Sequence, residues 1–293
     1  MGIDNNSLRF LAEASCGTVN FSRTVTIGRQ NFYRLTSVLI GKMLEQRGIS
    51  MSAAQAEQVY LGHGGYADGL LTFLGANHLH SVDYSDYEKA THIFDMNRPS
   101  PKELDGAYTL VIDGGSLEHI FNFPQAIANC MNMVAVGGHF IGLSPANNFF
   151  GHGFYQFSPE LFFRIFDNAN GFVTERLILV EDEQTGSGWF EVKDPAIARE
   201  RVTLMSATPA HIFIQARKVE QRVPFNTMPY QSDYVATWSH PMPATNPPAA
   251  SGPVATRLRT VAKQLLPSSL KEWLRSKLFP GPRTRPDLFR HLP

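Results

Sequence analysis

The sequence predicts an α/β fold, a doubly wound and mostly parallel sheet of seven strands that ends in an antiparallel hairpin. Three observations carry this expectation. Short apolar runs such as "TVTIG", "LVIDGG" and "FIGLSP" stop at Gly, Asp or Ser, as strands covered on both faces do. Between them lie segments with apolar residues recurring every three to four positions, which implies helical crossovers linking parallel strands. Beyond residue 200 the style changes, and "RVTLMSATPAHIFIQARKVE" reads as two β-runs joined at Thr208-Pro209.

Residues 1–23 form an N-terminal segment, and the main domain is expected over 24–220. Its strands are "RTVTIG", "ANHLHSVDYS", "ATHIFDMN", "AYTLVIDGG" and "GGHFIGLSP". "FYRLTSVLIGKMLEQRG", directly after the first strand, and "FPQAIANCMNMV" read as helices. Gly28 and Asp83 are 55 positions apart, well beyond the roughly 20 of a simple dinucleotide-binding turn. The insertion "SMSAAQAEQVYLGHGGYADGLLTFLGA" is expected to add a helix capping a pocket. Residues 221–253, rich in Pro, Ala, Asn and Ser, read as an extended linker. In 254–293, Val254, Leu258, Val261 and Leu265, then Leu270, Trp273, Leu274 and Leu278, give two short amphipathic basic helices.

A chain of 293 residues with 43% hydrophobic content has room for one large core, and neither disorder nor a fibrous repeat fits that composition. Cys16 and Cys130 share no CxxC spacing, so neither a disulfide framework nor a thiolate metal site is indicated, and a cytoplasmic setting is the default. No signal pattern and no run of about 18 apolar residues is present. The zero net charge conceals +7 on residues 254–293 against −7 on the first 253. That basic stripe fits peripheral membrane contact or partner docking, with packing on its own domain the plainer alternative, and it does not point to nucleic acid.

The segments "SVDYS", "LVIDGGSLEHI", "VGGHFIGLSP" and "GHGFYQFSPELFFRIF" together resemble the class I S-adenosylmethionine-dependent methyltransferases, in their small-molecule branch, over roughly residues 24–219. The resemblance implies a Rossmann-like sheet, S-adenosylmethionine as cofactor, and contacts to it from Gly28 and Arg29, from Asp83 at the ribose hydroxyls and from Asp95 near the adenine; the plainer readings are a strand-end Asp83 turning the chain and a loop Asp95 near Arg98. It also puts Asp113 and Gly114 at the crevice where strand order reverses. The first-strand loop departs from the family pattern. "TIGRQNF" keeps one glycine, with Thr26 in the place of an acid and Gln30 and Phe32 in the places of further glycines.

His119 and His152 each follow a strand end, where an imidazole of ordinary pKa near 6.5 suits a general base. Glu118, Phe154 and Tyr155 are the companion candidates for acceptor binding. The plainer reading has Glu118 capping the next helix and His119 packing on the sheet. His63, His78 and His80 have no carboxylate or cysteine at ligand spacing, so no metal is expected. The resulting expectation is methyl transfer to an oxygen or nitrogen of a small-molecule or carbohydrate-like acceptor, with a softer likeness to enzymes of polysaccharide biosynthesis. The alternative is an inactive, methyltransferase-like binding or scaffold protein, which the altered loop favours. Oligomeric state is left open.

Overall fold

In the computed structural model, residues 2–181, 188–203, 206, 208–239 and 287–292 are described. Strand β1 (Arg23–Ile27) is the pivot of the sheet. The chain leaves it through α2 (Ser37–Glu45), α3 (Ala53–Leu61) and α4 (Asp68–Phe73), returns as β2 (His78–Asp83), and steps outward to β3 (His92–Ile93). It then crosses to the other side of β1 as β4 (Tyr108–Asp113) and, after α5 (Phe123–Met133), continues as β5 (Val134–Asn147). These five strands are parallel.

After α6 (Pro159–Ile165) the direction reverses. β6 (Phe172–Glu181), β7 (Trp189–Val192) and β8 (Ala210–Lys218) are antiparallel to their neighbours, with α7 (Pro195–Ala198) between β7 and β8. Past α8 (Ser232–Ser239), β9 (Phe289–Leu292) pairs with β7. The full order is β3-β2-β1-β4-β5-β8-β6-β7-β9, so the doubly wound parallel sheet with an antiparallel end is present and carries two further strands, β7 and β9.

Alternation along the strands divides the core. Val111, Phe140, Leu179, Ile212 and Ile214 face one layer with α5 and α6. Leu110, Ile112, Ile141, Val180 and Phe213 face the other, where α1 (Asn5–Ser15) lays Leu8, Phe10 and Leu11 against them. The N-terminal segment is therefore part of the fold: Asp4 caps α1 by accepting from Ser7 N, and Trp189 Nε1 donates to Asn6 Oδ1 at 3.1 Å.

Several expectations need correction. The antiparallel partners of β8 are β5 and β6; Arg201–Thr203, expected as the first arm of the hairpin, form no strand. No helix follows Gly28 directly: 29–35 are irregular, and α2 begins only after Thr36, whose hydroxyl caps it. Residues 221–239 are not an extended linker, because Ser232 donates from both N and Oγ to Glu160 and Phe225 N donates to Asn170 Oδ1. The sheet is not complete at Glu220, since β9 adds to it with Leu288 and Phe289 buried. The remainder of the expected linker and nearly all of the expected basic tail lie outside the described residues.

Lys218 is 1% exposed, and its Nζ donates to the carbonyls of Met131 and Val134, both at 2.9 Å, at the junction of α5 and β5. Burial lowers its pKa to about 8. A lysine in the unfolded chain titrates at about 10.4. Between these values the unfolded chain holds a proton that the folded chain has released, so stability from this group rises with pH. The neutral amine still has two hydrogens for the two carbonyls. In urea melts at a series of pH values, wild type is expected to gain on Lys218→Met between pH 8 and 10. A difference that stays constant over that range would remove the buried ammonium as its source.

Candidate active site

The strand order reverses between β1 and β4, and ligands of such sheets bind outside the carboxyl ends of the strands at that point. Two clefts open there. One, of about 580 Å³, runs across the ends of β1, β2 and β4 and is lined among others by Gly28, Arg29, Asp83, Asp95, Gly115 and His119. The other, of about 480 Å³, lies over β4, β5 and β8 and is lined among others by Tyr33, Gly114, Phe149, His152 and His211.

The loop after β1 explains how the missing glycines are accommodated. Gly28 takes φ +68°, a conformation suited to glycine, and its N–H donates to Val82 O at 2.7 Å. Gln30 then folds back into the loop. Its Nε2 donates to Ile27 O at 2.8 Å and Gly28 O at 3.1 Å, and the residue is 4% exposed. The chain beyond is extended and gripped from both sides. Ile3 N donates to Asn31 O and Tyr33 N to Ile3 O, while Phe32 N donates to Gly65 O and Ala67 N to Gln30 O.

The insertion therefore does not lid the pocket; its Gly65–Asp68 turn clamps the loop. Arg29 is held there too. Its Nε donates to Asp68 Oδ2 at 3.0 Å, its Nη1 reaches Glu88 O, and its guanidinium stacks on Tyr66 at 4.0 Å. The Asp68 carboxylate pushes the guanidinium pKa further up, so Arg29 is a fixed cation at the cleft wall.

Asp113 ends β4 fully enclosed. Its Oδ1 accepts from Ser116 N at 2.9 Å and Leu117 N at 3.3 Å, and burial pushes its pKa up. It faces neither cleft; it shapes the turn that both clefts share. Ser116 Oγ donates to Ile27 O at 2.8 Å, tying the end of β4 to the end of β1. Gly114 belongs to the second cleft and sits directly under Gln30.

The turn presents Glu118 and His119. Glu118 is fully buried, and neither carboxylate oxygen has a hydrogen-bond partner among the described residues. Burial, then the neighbouring Asp113, raises its pKa. It does not cap α5, whose N-cap is Asn122, and His119 does not pack on the sheet, since 47% of its side chain is exposed.

The loop after β5 brings in His152. Phe154 N donates to Glu118 O at 2.8 Å, and a Cβ on Gly153, which has φ +67°, would stand 2.8 Å from that same oxygen. His152 Nε2 thereby comes 3.4 Å from Glu118 Oε1, and His119 Nε2 is 4.0 Å from it. The two imidazoles meet edge to face at 4.8 Å between centroids. Burial lowers both histidine pKa values, and at His119 the neighbouring His152 lowers it further. Neutral imidazoles at neutral pH are proton acceptors.

The remaining candidates are placed as follows. Asp83 lines the first cleft, with Oδ1 accepting from Ser85 N at 3.3 Å. Asp95 lines it too and is kept charged by hydrogen bonds from the side chain and backbone of Asn97. Tyr155 lines neither cleft; its hydroxyl donates to Phe121 O at 2.6 Å and its ring packs on Phe123 and Phe157. Phe154 is 65% exposed and meets Phe121 edge to face. Sequence reasoning put the Gln30 side chain where further glycines would leave room but not its turn back onto Ile27 O and Gly28 O, and did not join His152 to Glu118, which are 34 residues apart on different loops.

No protein-family model matches the sequence, and no curated protein matches it. Among solved structures the chain is similar to a geranyl diphosphate methyltransferase in complex with SAM, at 13% identity and TM-score 0.37 over 73% of this chain and 85% of that one. It is also similar to the N-methyltransferase NodS from Bradyrhizobium japonicum WM9, at 13% identity and TM-score 0.37 over 74% of this chain and 94% of that one. A third likeness is to a putative methyltransferase from Bacillus halodurans C-125, at 11% identity and TM-score 0.40 over 73% of this chain and 99% of that one.

A Cβ added at Gly114 would lie 2.0 Å from Gln30 Oε1. Gly114→Ala is therefore expected to cost about 1–3 kcal/mol by overpacking. Gln30→Ala on the same chain should recover most of that loss in a double-mutant cycle read by denaturant melts. Simple additivity of the two substitutions would show that they do not share this space.

Proposed function

We propose that the protein transfers the methyl group of S-adenosylmethionine to an oxygen or nitrogen of a small-molecule or carbohydrate-like acceptor. The observation that carries this reading is the pair of clefts meeting at the Glu118–His119–His152 cluster, one holding Asp83 and Asp95 at strand ends and the other open to a second ligand.

The residues of the first cleft fit the cofactor. The Asp83 carboxylate has the two acceptor oxygens that a vicinal diol requires. Ile27, Val82, Phe94, Met96 and Ile120 offer apolar walls to a purine, and Asp95 sits at the same wall. Arg29, its charge compensated by Asp68, fixes the cleft wall beside the loop. When bound, the cofactor supplies an activated methyl on a sulfonium that departs as a neutral thioether. What remains for the chain is to align the acceptor and remove its proton. His119 on one cleft and His152 on the other, both neutral, are the groups to accept that proton.

Gln30 favours the second reading, a scaffold without cofactor, because it fills room that glycines would leave open. Calorimetric titration with S-adenosylhomocysteine separates the two. Binding is expected, and Asp83→Ala should lower the affinity by about 1–3 kcal/mol, the cost of losing hydrogen bonds to a charged acceptor. No binding by the folded wild-type chain would leave the scaffold reading.

For the chemical step, replacing the operative histidine, His119 or His152, with alanine should lower turnover roughly 10²- to 10⁴-fold with cofactor affinity intact, as for loss of a general base. Normal turnover by both variants would assign proton removal elsewhere.

A further inference from the structure

We propose that Glu118, His119 and His152 form a binding site for one divalent transition-metal ion, of the zinc, iron or manganese class, at the junction of the two clefts. The three side chains offer two imidazole nitrogens and a carboxylate, and these ligand atoms all lie within 4.8 Å of one another. Two ligands of a tetrahedral ion, each about 2.1 Å from it, are about 3.4 Å apart. The separation of His152 Nε2 from Glu118 Oε1 is 3.4 Å, and that of His119 Nε2 from the same oxygen is 4.0 Å, so small rotations of exposed rings close the shell.

The independent sign of a missing ligand is the state of these atoms. Both Glu118 oxygens and His152 Nε2 are buried and lack a hydrogen-bond partner among the described residues. A fully buried carboxylate without donors is costly to keep, whereas the same group facing a cation is satisfied.

The backbone around the cluster is made for rigidity. His119 N donates to Ser116 O at 3.0 Å, His152 N to Phe149 O at 2.9 Å, and Phe154 N to Glu118 O at 2.8 Å, so two separate loops are locked with their ligands converging. Two nitrogens and one carboxylate leave further coordination positions, and those face the clefts, because His119 lines one and His152 the other. Such a donor set, with open positions, suits divalent first-row metals and excludes a closed structural thiolate site.

The site's part in catalysis rests on the proposed methyl transfer. There the ion would bind the acceptor oxygen as a Lewis acid and ease loss of its proton to solvent, a route alternative to the histidine bases, whose coordinated nitrogens no longer accept protons. Binding of the ion does not rest on that reading.

The test uses the full chain, stripped with chelator and titrated with Co²⁺ by visible absorption and with Zn²⁺ by calorimetry. One equivalent is expected, with the visible bands of cobalt bound by nitrogen and oxygen. Glu118→Gln keeps the shape of the side chain and should weaken Zn²⁺ binding at least tenfold, as should His152→Ala. His92→Ala, which alters the distant His80–His92–Tyr108 group, should leave binding unchanged. Thermal melts confirm that each variant is folded, and Glu118→Gln alone decides should His152→Ala fail to fold.

Absence of a one-equivalent site in wild type, or equal binding by folded Glu118→Gln, overturns the proposal. Titration with S-adenosylhomocysteine on the same samples reports separately on the methyl-transfer reading, so either can fail while the other stands.

Discussion

The enclosed carboxylate of Asp113 is the group on which the geometry at the top of the sheet depends. It terminates β4 at the point where the strand order reverses, and two backbone N–H groups of the following turn point at it. With Ser116 Oγ fastened to Ile27 O, this turn cannot move independently of β1. Everything that follows inherits its position: Gly114 and Gly115 toward opposite clefts, then Glu118 inward and His119 outward. A carboxylate at full burial is a demanding choice for such a joint, since its charge is disfavoured there. The backbone donors offset part of that, and they do so only in this turn conformation, which is why the arrangement is specific.

Much of this was legible in the sequence because it is local. Apolar runs bounded by Gly, Asp and Ser marked the five parallel strands, and α5 was visible in the spacing of Phe123, Ile127 and Cys130. Asp83, Asp95, His119 and His152 could be placed near the crevice because each follows a strand end directly. What was not legible depends on distant partners. Nothing in "TIGRQNF" says that Gln30 will turn back on its own carbonyls, or that Gly65 and Ile3 will hold the chain extended where helical periodicity begins. The pairing of β6 with β8 skips over β7, and the run "RVT" carries strand-like residues without a neighbouring strand to accept them. β9 escaped notice because four residues beside a proline-rich stretch have no periodicity of their own.

The electrostatics of the cluster follow from the same packing. Burial pushes up the pKa of both Asp113 and Glu118, and Asp113 raises that of Glu118 further. His119 and His152, half in solvent, are held neutral by partial burial. Unlike the Arg29–Asp68 pair, in which opposite charges compensate at the rim, the centre is built from groups whose burial disfavours charge. The contrast within a few residues divides the architecture into a charged rim that anchors the loop and a centre of groups that disfavour charge.

The margins of the sheet have a consequence for the molecule's behaviour in a crowded solution. An exposed strand edge is a template on which another chain can add by backbone pairing. Here the strand at one margin, β3, is two residues long, and β9 at the other is four, with Arg290 paired to Glu191 on its neighbour. Among the described residues, the long strands β5, β6 and β8 all lie inside the sheet, although β7 covers β6 only at Ile178–Val180. The described sheet thus presents little open ladder at either end, and β8, paired along both sides, is withheld from intermolecular β-pairing for as long as the fold persists.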